Sequence, residues 1–81
     1  MMSDLKEFQA VLQIIVSRLA QMIEKEMNVS DKDALNKLYT SKLYEKLEQE
    51  DTKVWHLSVP LLYSLFVEEQ ETGQITYPEE A

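Results

Sequence analysis

The chain has 81 residues, 44% of them apolar and 28% charged, with a net charge of −7. That apolar content excludes a disordered chain, and the length leaves room for one small core that gains from oligomerisation. The absence of cysteine removes disulfide frameworks and thiolate metal sites, and one glycine with two prolines points to long helices joined by few tight turns.

The first and longest helix is predicted over residues 4–27. At 100° per residue, Leu5, Phe8, Val11, Leu12, Ile15, Val16, Leu19, Ala20, Met22, Ile23 and Met27 share one arc of roughly 180°. Lys6, Glu7, Ser17, Arg18, Gln21, Glu24 and Lys25 take the other side. Two residues break the pattern: Glu26 intrudes on the apolar arc, and Ile14 points out through the polar face. Ser3 is placed to cap the start, and Asn28 to supply a left-handed stop.

Within the arc, Leu5, Phe8, Leu12, Ile15, Leu19 and Met22 are spaced 3-4-3-4-3, a heptad seam. Two readings stand side by side: a core-facing helix of a monomeric bundle, and the seam of a homodimer. From Leu5 to Met27 the helix has 23 residues and is ~35 Å long, whereas a globule of this size is about 30 Å across. The helix should therefore overhang its own domain and need a partner. A homodimer is the expectation.

Further along, Ser30 begins a helix over 31–39, with Asp33 placed to return the bond in a short-armed capping box. Its inward face is Ala34, Leu35 and Leu38. Tyr39-Thr40-Ser41 interrupts, and a third helix follows over 41–50 with Leu43, Tyr44 and Leu47 facing in. Nothing between the two is a strong breaker, so one bent helix is the other reading. Glu50 to Lys53 is a polar turn; Val54-Trp55-His56-Leu57 is either an extended connector or the approach to the next helix. Trp55 should anchor the core and find an acceptor for its N–H.

Ser58-Val59-Pro60 opens a fourth helix over 59–71, with Leu61, Leu62, Leu65 and Phe66 as its inward stripe and Gly73 as its stop. Four acceptor-rich residues, Glu68 to Glu71, end it in solvent, where negative charge is mildly unfavourable for the dipole. The tail, residues 72–81, is expected to fold Ile75 and Tyr77 back onto the bundle or to pair as a short strand with residues 53–57. Its last residues, Glu79-Glu80-Ala81, should fray. The predicted fold is all-α: a small bundle of three to four helices with a long N-terminal helix and a short C-terminal tail.

Charge is unevenly placed. Residues 1–53 hold eight basic and ten acidic side chains, whereas residues 54–81 hold none basic and five acidic. Glu68, Glu69 and Glu71 are therefore the candidate face for a basic protein partner, set against the plainer reading that acidic residues keep a small protein soluble. The N-terminus lacks the basic region of a signal peptide, and the longest uncharged runs, 8–17 and 56–67, are too short to span a bilayer. A cytoplasmic protein without membrane association is expected.

No constellation for chemistry emerges. His56, the one histidine, has no H-x-x-x-H or H-x-x-E spacing around it. Ser41, Ser58 and Ser64 lack a nucleophile-elbow context, and no glycine-rich loop exists to cradle phosphates. The sequence reads as a non-enzyme with no cofactor, metal or small-molecule ligand. The two short helices after Ser30 give the alternative: an antitoxin-like or transcriptional regulator with helix-turn-helix-like DNA binding. The stretch that would read bases, Ser41 to Asp51, sets two lysines against four acids, a net −2. It also lacks an arginine for guanine, so nucleic acid is not the expected partner.

From Tyr39 onward the chain resembles a group of small uncharacterised bacterial proteins, domains of unknown function. The shared pattern is Ser-Lys-x-Tyr-x-x-Leu, then Thr-x-x-Trp, then an apolar helix ending in Glu-x-x-Thr-Gly. Here these are Ser41, Lys42, Tyr44 and Leu47; Thr52 and Trp55; Glu69, Thr72 and Gly73. The match covers residues 39–73 and leaves out the first helix. It implies a small helical protein without a catalytic site. Some such proteins are similar to accessory partners encoded beside larger proteins, including predicted ADP-ribosyltransferase toxins, which implies a binding or antitoxin-like role.

Overall fold

The computed structural model describes residues 2–77, with side chains from Lys6 onward. Four α-helices follow in order: α1 (Met2–Met27), α2 (Asp31–Tyr39), α3 (Lys42–Leu47) and α4 (Val59–Thr72). Two 3₁₀ turns, Glu50–Thr52 and Val54–His56, lie between α3 and α4. No strand forms among the described residues. Ser3, Asp4 and Leu5 fall outside the described side chains, and Pro78 to Ala81 outside the described residues.

Each boundary has a chemical cause. Asn28, at φ 57°, ends α1, and the Val29 N–H returns to the Glu24 carbonyl at 3.2 Å, which closes a Schellman motif. Ser30, Ser41 and Ser58 accept bonds from the N–H groups of Asp33, Tyr44 and Leu61, so each caps the helix that follows. Ser41 also donates to the Leu38 carbonyl at 2.6 Å. One buried hydroxyl thus closes α2 and opens α3, and the two are separate helices. Gly73 stops α4 at φ 80°.

α3 ends at Leu47 rather than residue 50. The Thr52 hydroxyl, 2.7 Å from the Lys46 carbonyl and 2.8 Å from that of Gln49, takes up the end of the helix and turns the chain. Lys53 then adopts a left-handed conformation, φ 61° and ψ 9°, between the two 3₁₀ turns. Of the two readings of residues 54–57, the wound approach to α4 is the one that forms. Of the two readings of the tail, no strand pairing forms among the described residues, whereas Ile75 and Tyr77 fold back half-buried.

The core joins all four helices. Ile15, Val16, Leu19, Ala20 and Ile23 of α1 meet Ala34 and Leu38 of α2, Leu43 and Leu47 of α3, Val54, and Leu62, Leu65 and Phe66 of α4. Leu61, expected in the inward stripe of α4, stands at the surface instead, 36% exposed. Packing against α1 selects a narrower face than four apolar residues suggest.

The molecule measures 40 × 28 × 19 Å, and a 26-residue helix is ~39 Å long. The long axis of the molecule thus matches the length of α1. The connector covers the far end: Phe8, 5% exposed, meets the Trp55 ring edge-on with centroids 5.3 Å apart. Trp55 is only half-buried, and its indole N–H donates to the Glu50 carbonyl at 2.9 Å.

Candidate functional site

The heptad seam is not a free surface. Phe8, Ile15 and Leu19 are buried by the chain's own α2, α4 and connector, while Leu12 and Met22 are half-buried. The 3-4 spacing was filled from within, because a core-facing helix and a dimer seam require the same periodicity.

The acidic face is likewise drawn inward. The Glu69 carboxylate accepts the N–H of Lys42 at 2.8 Å on one oxygen and that of Leu43 at 3.2 Å on the other. In return, the Lys42 ammonium donates to the Gly73 carbonyl at 3.0 Å, at the end of α4. The start of α3 and the end of α4 clasp each other, positive dipole end to negative. This is the reason for acid at a helix C-terminus: its charge serves the neighbouring helix. Glu68 accepts both the N–H of Thr76 at 3.0 Å and its hydroxyl at 2.8 Å, and so ties down the tail. Of the three expected partner-facing acids, Glu71 remains as an exposed group.

The Thr76 bonds hold the Glu68 carboxyl below its ordinary value, with burial opposing them. A free glutamate titrates near ~4.3. The contribution of this tie is fully present above that pH and is lost as pH falls through the lower folded value. Residues 74–77 should therefore detach as pH falls through that lower value, while the helices persist. Thr76→Val should release them at neutral pH, as followed by amide hydrogen exchange at Thr76. A tail equally protected in both cases would contradict the tie.

The tail, with Ile75 and Tyr77 half-buried, shares a hollow of about 450 Å³ with Lys42, Glu45 and Lys46 of α3. A larger groove, about 600 Å³, runs between α1 and α2. Its floor is apolar: Leu12, Val16 and Ala20 of α1 with Leu35 of α2. The α1 rim is Gln9, Gln13, Ser17 and Gln21; Asp31, Tyr39 and Tyr44 complete the lining. The two tyrosines meet edge-on at 5.0 Å, and Tyr39 is 50% exposed. Burial, the Glu48 charge and Tyr39 push the Tyr44 phenol up, so at neutral pH it stays protonated and offers a hydrogen bond. The groove runs beside the whole of α2, from Asp31 through Leu35 to Tyr39, in the furrow between that helix and α1.

Sequence reasoning did not find this groove. Its signal was present in the uncharged rim, where glutamines recur at 9, 13 and 21 on a chain rich in charge. Tyr44 and Trp55 line different hollows, and His56 is exposed against the Trp55 ring. No group of three metal-ligating side chains comes together among the described residues. None of the described helices is long and apolar enough to cross a membrane.

The Ser-Lys, Thr-x-x-Trp and Glu-x-x-Thr-Gly residues of this chain turn out to be connecting hardware. Ser41 caps, Lys42 and Glu69 clasp, Thr52 and Trp55 bind the turn, Thr72 accepts the Gln74 N–H at 3.1 Å, and Gly73 stops α4. The start of α3, where a helix-turn-helix presents side chains to bases, is covered by the Glu69 carboxylate. Comparison with protein-family models, curated proteins and solved structures found no match to this chain.

Proposed function

We propose that this chain is a non-enzymatic protein–protein interaction module whose docking surface is the α1–α2 groove. One observation carries the reading: an apolar floor of Leu12, Val16, Ala20 and Leu35 is rimmed on its α1 side by uncharged donors and acceptors, with Asp31 the one charge in the lining, and is overhung by a half-exposed Tyr39. Interfaces concentrate tyrosine and deplete charge at their centres in this way. The lining offers a partner a place to bury an apolar ridge, and the amides of Gln9, Gln13 and Gln21 satisfy its polar edges. Helix α1 is the element through which association occurs, by its groove flank, which Leu12 of the 3-4 seam shares.

The test is capture from the native cell on tagged protein. Proteins retained by the wild type should be lost from Tyr39→Ala combined with Gln13→Lys, two exposed positions whose change leaves the fold intact. Glu71→Lys, away from the groove lining, should retain them. An unchanged set of bound proteins on the groove variant would overturn the reading.

A further inference from the structure

We infer that the groove's occupant is a second copy of this chain, with Ile14 of each copy seated in the groove of the other; the inference rests on the docking reading above. Ile14 is the most exposed large apolar side chain among the described residues, at 54%. It lies on the same helix that forms the groove wall, in a shallow hollow on the other side of a single ridge. Gln13, Ser17 and Gln21 are that ridge, since they line both depressions. A projecting apolar residue and its receptor, set side by side on one helix, are what a two-fold axis requires, because each contact is returned by its symmetry mate.

Charge selects the same face. The chain carries −7, so two copies repel over most approaches. The lining of the groove and of the adjoining hollow contains one acid, Asp31, and one base, Arg18. Copies that meet here oppose no like-signed surfaces. The rim is self-complementary too, because amides and hydroxyls both donate and accept, so a glutamine can face its own copy with nothing left unpaired.

Since the chain has no cysteine, a single introduced thiol reports one contact. Wild-type protein should sediment as a dimer at tens of micromolar. Ile14→Asp should stay folded by circular dichroism, being exposed, and weaken self-association by at least about 30-fold, the scale of an interface hot spot. Gln13→Cys should give a covalent dimer on mild oxidation, and Glu71→Cys should not. A chain that sediments as a monomer at ~200 μM, far above the affinities of specific complexes, would overturn the second copy, and the Tyr39→Ala capture would still decide the docking reading on its own. A dimer indifferent to Ile14→Asp, or one linked through Glu71→Cys, would overturn this arrangement as well.

Discussion

Phe66→Ala is expected to cost about 3–5 kcal/mol of folding stability, whereas Leu61→Ala, five residues earlier on the same helix, should cost less than about 1 kcal/mol. Phe66 is wholly shielded, and its ring sits where α1, α3 and α4 converge, so its removal leaves a void that the neighbours cannot close. An 81-residue domain holds only ~4–12 kcal/mol in total. The first substitution should therefore lower Tm by at least ~12 °C or leave much of the protein unfolded at ambient temperature. Thermal and urea unfolding, read by helical circular dichroism, measure both. Equal losses at the two positions would mean that α4 is rotated relative to its described face.

Glu69→Ala should be the most costly of the acid substitutions, at about 2 kcal/mol, while Glu71→Ala should stay within about 0.5 kcal/mol. The carboxylate of Glu69 answers two backbone donors at the start of α3, and bonds to an ionised acceptor are the stronger kind. Water can replace it at the exposed Lys42 N–H but less well at the part-buried Leu43 N–H. Glu69→Lys should be worse still, because it sets a cation against the positive end of a helix. Amide exchange localises the damage: Tyr44, Glu45 and Lys46 should lose protection before α1 does. If Glu69 and Glu71 proved equivalent, the clasp would not be a stabilising contact.

The helices were legible where local chemistry writes them. Ser30, Ser41 and Ser58 announce their helices by side chains that answer N–H groups three residues on, and Asn28 and Gly73 announce stops by tolerating positive φ. Other features depend on partners distant in sequence. Nothing in Glu69 signals that it caps a helix beginning 27 positions earlier. Nothing in Lys53 signals a left-handed backbone, which Thr52 and the two adjoining turns impose. The seam stayed open between core and dimer interface because periodicity reports which side of a helix is apolar and is silent on who covers it. The groove was illegible for the converse reason: it is a furrow between two helices, set by how α1 and α2 lie beside each other in space.

The clasp between Lys42, Glu69 and Gly73 also sets an order of events. A helix of six residues has too few internal bonds to persist in isolation, and its leading amides wait for an acceptor supplied near the chain's other end. During synthesis, α1 and α2 can settle against each other early, but α3 must remain unwound until Glu69 clears the ribosome. Truncation before that residue should leave residues 42–47 open to proteases.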